Sequence, residues 1–293
     1  MRAKQVIDGV ARANYHRGGL RCSRLLQVDA SFFEQLKKEI EQLVLDNVPS
    51  EVADAKHKTN WTKPFGRATQ FSLLNSSGRF DDFGTDFNGT RGGKGFHHGN
   101  TYPSLGKLIE ALPDATNMRL NGMDPSSGLS PHEESAVSMR RLRPTMLVRF
   151  HLPIATTTAA HVYLDGEFFN FEEGNIYFFN NGCVHSAVNR GDSTRYHLVW
   201  DAWLTRQTYT AMFDENAATS APFLTRVDTD HRLVEPVDYK PVEVYETMGP
   251  GRRIHQLLGL ERFGIAPYQF QNVYNRGAYA AWRLRSPLAA RLA

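Results

Sequence analysis

Four side chains in the middle of the sequence have types and spacings that suit a metal centre. His132 and Glu134 form an H-x-E pair, His185 follows 53 residues after His132, and Arg195 lies ten residues further on. Two imidazoles and one carboxylate on one face of an octahedron leave three positions open, which is the ligand set of non-haem Fe(II) oxygenases. Iron held in this way can take a bidentate 2-oxo acid and then O₂. A nearby arginine can hold the far carboxylate of that cosubstrate.

The residues alone leave other interpretations of this pattern open. An H-x-E pair occurs by chance in many proteins, and Glu133 rather than Glu134 could supply the oxygen ligand, or no acid at all. His132 and His185 could be structural or surface histidines, and Arg195 could be an ordinary ion-pair partner. Extended backbone places residues two apart on the same side, which favours Glu134 over its neighbour.

Two segments with the pattern of β-strands carry further polar side chains. In 145–154, TMLVRFHLPI, period-2 alternation puts Arg149 and His151 on one face and apolar residues on the other. The segment 194–204, TRYHLVWDAWL, repeats the Arg-x-His pattern. An arginine that faces a cavity usually binds an anion, whereas on an outer face it would only be solvated.

The elements that must position these residues predict the fold class. From 117 to 204 the chain shows short apolar or alternating runs that turn residues separate, including a hairpin-like pair of runs within 166–182. This pattern predicts a mainly β fold with flanking helices and a jelly-roll core, the double-stranded β-helix. We expect an N-terminal helical and loop region over 1–116, the jelly-roll core over 117–204 and a mostly helical C-terminal region over 205–293.

The N-terminal region contains two predicted helices and a long irregular segment. Apolar residues at helical spacing predict a helix over 31–46, where Ser31 and Glu34 match a capping box. A second short helix is predicted over 104–112. The segment 47–100 is rich in Gly, Asn, Ser, Thr and Asp, which is typical of a functional loop or of disorder.

Composition excludes several classes of protein. The chain has 34 Lys+Arg against 31 Asp+Glu and a net charge of +3, so no strong field indicates a nucleic-acid partner. No apolar run reaches the length of a membrane span or a signal peptide. Two cysteines give no disulfide framework. We therefore expect a cytoplasmic protein whose partner is a small molecule.

Four segments together resemble the aspartyl/asparaginyl β-hydroxylase family. They are MDPSSGLSPHEE, RFHLPI, FEEGNIYFFNNGCVHSAVN and TRYHLVWDAW. The resemblance covers roughly 117–204, and it implies an Fe(II)- and 2-oxoglutarate-dependent oxygenase on a double-stranded β-helix. Upstream, WTKPFGRATQFSLLNSSG (61–78) is similar to bacterial amino-acid hydroxylases of this family, such as the proline cis-4-hydroxylase type.

The resemblance also implies roles for individual residues. The iron ligands would include His132 and His185, and Arg195 would pair with the distal carboxylate of 2-oxoglutarate. Arg149 and His151 match an Arg-x-His near the metal-proximal end of that cosubstrate. Asn121 falls where some relatives have a small polar residue beside the distal carboxylate.

The position of Glu134 departs from part of the family. Animal protein-modifying members have glycine there and use two histidines alone, whereas bacterial amino-acid hydroxylases often have aspartate. Glutamate is one methylene longer and is still an oxygen donor, so a three-ligand site of His132, Glu134 and His185 is favoured. The segment 135–144, SAVSMRRLRP, is an addition that could contact substrate or form a lid.

The expected function is hydroxylation of an unactivated C–H bond of a small substrate, a free or carrier-bound amino acid, by Fe(II), 2-oxoglutarate and O₂. Substrate specificity is expected from 79–100, 133–144 and the C-terminal region. One alternative is the same oxidative chemistry with another outcome, such as desaturation, cyclisation or halogenation. Halogenation needs a vacant ligand position for chloride, which Glu134 disfavours. Another alternative is a non-catalytic jelly-roll binding protein.

Overall fold

The structure of the chain is a computed structural model that describes most of the predicted core. The described residues are 5–10, 19–52, 64–86, 93–134, 137–140, 143–227, 233–234, 246–247, 250–265 and scattered positions between 270 and 284. Its helices are α1 (Ala30–Asp46), α2 (Phe83–Asp86), α3 (Pro103–Ala111), α4 (Arg206–Met212) and α5 (Pro250–Leu258), with a 3₁₀ turn over Leu260–Phe263 and a further helical stretch over 5–10.

Strands make up most of the regular structure. They are β1 (Gly19–Leu20), β2 (Cys22–Val28), β3 (Ser50–Glu51), β4 (Pro64–Phe65), β5 (Ala68–Ser72), β6 (Ala115–Met123), β7 (Ser127–Glu133), β8 (Val137–Arg140), β9 (Arg143–Ala155), β10 (Ala160–Leu164), β11 (Glu167–Phe169), β12 (Asn175–Phe179), β13 (His185–Asn189), β14 (Arg195–Trp203), β15 (Leu224–Arg226), β16 (Leu233–Val234) and β17 (Glu246–Thr247).

Two sheets form the body of the molecule. The nine-stranded sheet has the order β15-β2-β12-β9-β14-β6-β5-β3, with β8 paired to β9. The six-stranded sheet has the order β11-β10-β13-β7-β17, with β4 paired to β7. Within them the pairing is antiparallel except between β17 and β7. This arrangement is a double-stranded β-helix with flanking helices, so the predicted fold class is confirmed.

The alternation along β9 gives the larger sheet one apolar face and one polar face. Met146, Val148, Phe150 and Leu152 are at most 1% exposed and belong to the main hydrophobic core, together with the buried face of α1. The opposite face carries Arg149 and His151, as period-2 alternation predicts. The apolar face thus anchors the sheet on the helices, and the polar face is left for the site.

The predicted hairpin within 166–182 is wrong. The run Glu167–Phe169 forms β11, which pairs with β10 in the smaller sheet, whereas Asn175–Phe179 forms β12 between β2 and β9 in the larger sheet. Strand β11 instead forms a hairpin with the preceding strand, β10. Its two turn residues, Asp165 and Gly166, both have positive φ, 43° and 99°, as a tight hairpin turn requires.

Two further expectations for the N-terminal region need correction. Helix α1 starts one residue earlier than predicted and is capped by Asp29, whose carboxylate accepts hydrogen bonds from the backbone N–H groups of Ser31 and Phe32. The irregular segment 47–100 contains the buried strand β5, which pairs with β6. Strands β2 and β5, from the predicted N-terminal region, are therefore part of the larger sheet.

A membrane-spanning helix must be both long and apolar. None of the described helices combines the length and the apolar character that a bilayer crossing needs.

Candidate metal centre

Three predicted ligands converge where two central strands of the smaller sheet, β7 and β13, end and begin. His132, at the end of β7, lies directly opposite His185, at the start of β13, and Glu134 follows the end of β7. One ligand atom from each of the three lies within 4.8 Å of the other two. The His132 and His185 rings have centroids 4.1 Å apart. Both histidines are buried and the carboxylate is partly buried, so the cluster suits one metal ion.

Backbone carbonyls fix the orientation of the two imidazoles. The Nδ1 atom of His132 lies 2.8 Å from the Ser130 carbonyl, and the Nδ1 atom of His185 lies 2.9 Å from the Cys183 carbonyl. A carbonyl oxygen only accepts, so each Nδ1 must carry the proton and donate. Each Nε2 then has its lone pair available, which is the form in which histidine binds metals.

The segment 180–185, NNGCVH, positions His185 and contacts Glu134. Asn180 anchors it, because its side-chain amide donates to the Leu20 carbonyl at 2.7 Å. Asn181 contacts Glu134 twice: its carbonyl accepts from the Glu134 N–H at 2.9 Å, and its Nδ2 donates to Glu134 Oε2 at 2.9 Å. The loop before β13 therefore orients Glu134 as well as His185.

Arg149 lies between two carboxylates on the site face of the larger sheet. Its Nη1 and Nη2 atoms contact Glu134 Oε1 and Oε2 at 3.0 and 2.8 Å. Its Nε and Nη2 atoms donate to Asp201 Oδ1 and Oδ2 at 2.8 and 3.1 Å. The resemblance implied that Arg149 lies near the cosubstrate; the structure shows that it is already engaged by two acids.

These contacts determine the charge states of the group. Burial alone would raise the pKa of Glu134, but Arg149 and the two histidines outweigh it and hold that pKa well below its ordinary value. Burial alone would lower the pKa of Arg149, but Asp201 and Glu134 raise it well above its ordinary value. Glu134 is therefore a carboxylate and Arg149 a cation at any working pH.

A second polar group lies on the same sheet face, around Arg195 on β14. Its Nη2 atom lies 2.9 Å from His197 Nδ1, which must accept the bond because guanidinium only donates. His151 Nδ1 lies 3.4 Å from the same His197 atom. All three side chains are buried, and the Nε2 atoms of both histidines have no hydrogen-bond partner within the described residues.

Arg195 is a buried cation whose charge is balanced by no acid among the described residues. No described carboxylate forms an ion pair with it, and burial alone lowers its pKa to about 10. Burying a charge without a partner is costly, so such a site suits an anionic ligand. Because His197 Nδ1 accepts from Arg195, its Nε2 carries the ring proton, and Arg195 and His197 together offer donors that fit the carboxylate of a 2-oxo acid.

Asn121, the residue predicted beside the distal carboxylate, lies on the larger sheet. Asn121 on β6 lies opposite His197 on β14, and its buried Oδ1 has no hydrogen-bond partner in the described part of the chain. It is thus on the same side of the site as Arg195. The side chains of Glu133 and of 135–145, which include the added segment, lie outside the described residues.

Burial of three histidines predicts a pH-dependent stability. Burial, followed by nearby cationic groups, holds the pKa values of His151, His185 and His197 well below their ordinary 6.5. Below about pH 6.5 the unfolded chain therefore binds more protons than the folded chain, and the free energy of unfolding falls with falling pH. The slope is up to about 4 kcal/mol per pH unit for three such groups.

Urea unfolding of the metal-free protein between pH 7.5 and 5.5 measures this slope. The variant His197→Gln removes one titrating group, and we expect it to lose about a third of the slope. Unfolding free energies that do not change below pH 6.5 would contradict the assignment of neutral, buried imidazoles.

Sequence reasoning missed two residues of the site. Asn181 stands in the NNG turn before His185, and such a turn indicates a loop without showing which side chain it directs inward. Asp201 shares a strand face with Arg195 in the alternation pattern, but its contact with Arg149 depends on the register between β14 and β9. Neither contact can be read from local spacing.

The fold and the site together define a class of protein. A jelly roll that holds two histidines, one carboxylate and a buried arginine has the donor set of non-haem iron oxygenases. The sequence model described as aspartyl/asparaginyl beta-hydroxylase matches residues 32–205 of the 293. The chain belongs to that family, and it is an enzyme of the hydroxylase class. No curated protein matches it by sequence.

Solved structures with a similar chain path are distant in sequence. The non-heme alpha ketoglutarate dependent epimerase SnoN from nogalamycin biosynthesis is 12% identical with a TM-score of 0.40, over 82% of this chain and 98% of that one. HygX from Streptomyces hygroscopicus, solved with nickel and 2-oxoglutarate, is 9% identical with a TM-score of 0.39, over 80% and 98%. At these values neither assigns a ligand to this chain.

Proposed function

We propose that the chain is an Fe(II)- and 2-oxoglutarate-dependent dioxygenase that hydroxylates an unactivated C–H bond of a small polar substrate. The observation that carries the proposal is the cluster His132–Glu134–His185 on one sheet with the buried Arg195 on the facing sheet. A metal and a dicarboxylate would together use both features. Family membership supports hydroxylation as the outcome.

Each residue of the site has a task in this proposal. His132 and His185 would bind iron through Nε2, and Glu134 through a carboxylate oxygen. Arg195 would hold the distal carboxylate of 2-oxoglutarate by a charge-assisted fork. Iron bound here would supply the oxidation of the cosubstrate and of the C–H bond; the protein orients the reactants and shields them from water.

The remaining predicted residues support this arrangement in different ways. His151 lies 3.4 Å from His197 through their Nδ1 atoms, so it lines the wall beside the position expected for 2-oxoglutarate. Asn121 lies opposite His197, and its Oδ1, which has no partner among the described residues, could accept a hydrogen bond from a bound ligand. Arg149 orients Glu134, because four of its five N–H donors are already committed to Glu134 and Asp201.

The polar side chains on the site face of the larger sheet support a polar substrate. On β6, Asn117 donates to Asp201 at 3.0 Å, and Arg119 pairs with the buried Asp86 at 2.7 Å. A free or carrier-bound amino acid fits a face with charges of both signs. The loops around it, 79–100 and 133–144, would then select among such substrates, although both lie partly outside the described residues.

A cytoplasmic location is also part of the proposal. The two cysteines, Cys22 and Cys183, are both buried and not disulfide-bonded. Buried thiols in a reduced state suit a reducing compartment.

A screen of free amino acids for substrate-dependent succinate release tests the proposal. We expect at least one polar substrate to stimulate succinate formation from 2-oxoglutarate well above the uncoupled rate. Absence of any succinate with Fe(II) and 2-oxoglutarate, with or without substrate, would contradict it and favour a non-catalytic binding protein.

The variant Glu134→Gly tests whether the third ligand is needed. We expect its metal affinity to fall by more than about a hundredfold, because a charged ligand is lost and not merely reoriented, and hydroxylation to fall with it. Adding chloride should change the products of this variant alone, since only it has a vacant position beside iron. Metal titration and product analysis measure both effects.

A matched control is Glu172→Gly, which removes an exposed glutamate outside the site. It should behave as the wild type. If Glu134→Gly also kept full metal affinity and hydroxylation, the site would be a two-histidine centre like that of the animal members.

A further inference from the structure

A chain of polar contacts runs from Glu134, after β7 of the smaller sheet, across three strands of the larger sheet. Glu134 is bound by Arg149 on β9, Arg149 by Asp201 on β14, and Asp201 by Asn117 on β6. The register of the larger sheet puts Asp201 directly opposite Arg149 on one side and Asn117 on the other. The contact between Arg149 and Asp201 is thus fixed by strand pairing.

The guanidinium of Arg149 is held along two of its edges. The edge formed by Nε and Nη2 meets both oxygens of Asp201 at 2.8 and 3.1 Å. The edge formed by Nη1 and Nη2 meets both oxygens of Glu134 at 3.0 and 2.8 Å. A planar fork engaged on two sides cannot rotate without breaking charge-assisted hydrogen bonds, so its plane fixes the plane of the Glu134 carboxylate.

Asp201 makes this arrangement possible. Its side chain is only 9% exposed, so its charge is poorly screened and its only described cationic partner is Arg149. Without that charge, Arg149 would be free to follow Glu134 or any incoming carboxylate. With it, Arg149 stays on the sheet and Glu134 is held at a fixed place beside His132.

We propose that Asp201 is a positioning residue that, through Arg149, holds Glu134 where a carboxylate oxygen can bind the metal. This inference rests on the proposed function, since it assigns Asp201 a task toward the proposed iron site. It also means that Arg149 has no free fork edge for bidentate binding of a substrate carboxylate.

The affinity for Co(II) under anaerobic conditions tests this inference without turnover. For Asp201→Asn we expect a 10- to 100-fold weaker Kd for Co(II), roughly the loss typical when a residue that orients a metal ligand is replaced. The KM for 2-oxoglutarate should change by less than about threefold, because Arg195 is untouched. An unchanged Kd for Co(II) would overturn the inference.

A double-mutant cycle distinguishes positioning from a general structural effect. If Asp201 acts through Glu134, then Asp201→Asn should cause little further loss of Co(II) affinity in a Glu134→Gln background. An equal loss in both backgrounds would show that Asp201 acts independently of Glu134 and would overturn the inference. Glu173→Gln is the matched control, since it breaks a 2.8 Å ion pair with Lys37 elsewhere in the molecule.

A milder variant covers the case in which Asp201→Asn does not fold. Asn117→Ala removes only the amide that supports Asp201, and we expect a two- to tenfold weaker Kd for Co(II), the worth of about one hydrogen bond. Unchanged affinity there would overturn the inference. If the wild type itself bound no Co(II), the proposed function would fail instead, so the two failures are distinguishable.

Discussion

Replacing His132 or His185 with alanine is expected to abolish metal binding and turnover. Each substitution removes one of three ligands from a cluster whose ligand atoms lie within 4.8 Å of one another. Changes to residues that only orient ligands typically cost 10- to 100-fold in metal affinity, so loss of a ligand should cost more than about a hundredfold. Equilibrium dialysis with Co(II) and assay of succinate release measure the two losses.

A histidine outside the cluster provides the control. His161 lies on β10 in the same sheet, where its ring contacts Phe168. The variant His161→Ala should bind metal and turn over as the wild type does. If His132→Ala or His185→Ala retained metal affinity within about tenfold of the wild type, the two residues would not both be ligands.

Replacing Arg195 with methionine is expected to weaken 2-oxoglutarate binding and to stabilise the metal-free protein. Loss of one partner of a buried charge pair costs about 2–5 kcal/mol, which corresponds to about a thirtyfold to a few thousandfold higher KM for 2-oxoglutarate. The unliganded protein should gain stability, because burial of this guanidinium is not offset by a carboxylate among the described residues.

Two measurements separate these effects of Arg195→Met. Steady-state kinetics give the KM for 2-oxoglutarate, and thermal unfolding gives the Tm with and without the cosubstrate. The wild type should be stabilised by 2-oxoglutarate and the variant should not. Arg190→Met, which changes an exposed arginine after β13, is the control. A destabilised variant with an unchanged KM would show that Arg195 has a structural role.

The residues that could be predicted from the sequence are those that depend on local periodicity. Alternation along β9 and β14 correctly put Arg149, His151, Arg195 and His197 on a face opposite to the apolar core. Strand period does not depend on which strand is the neighbour, so one segment is enough to assign the face.

Features that depend on strand partners could not be predicted in the same way. The runs around β11 and β12 look like a hairpin in sequence, yet they belong to different sheets. Strand β5 is buried at all five positions, so it shows no alternation and was hidden in a polar segment. Asp201 acquires its contact with Arg149 only from the register of β14 against β9.

At the start of α1, both Asp29 and Ser31 are residue types that can cap a helix. Ser31 and Glu34 match a capping box, but Asp29, two residues before Ser31, has non-helical backbone angles (φ −52°, ψ 137°) and caps the helix. Its carboxylate accepts from Ser31 N–H and Oγ and from Phe32 N–H. When several residues near a helix start can cap it, the sequence does not show which one does. Here the path of the chain after β2 decides it.

Anaerobic addition of Fe(II) and 2-oxoglutarate to the purified protein tests the central claim most directly. A 2-oxo acid that chelates iron through its keto and carboxylate oxygens gives a weak visible charge-transfer band. We predict this band for the wild type and its absence for His132→Ala. A wild type without the band, or a band that persists in His132→Ala, would contradict the assignment of an Fe(II)/2-oxoglutarate site to these residues.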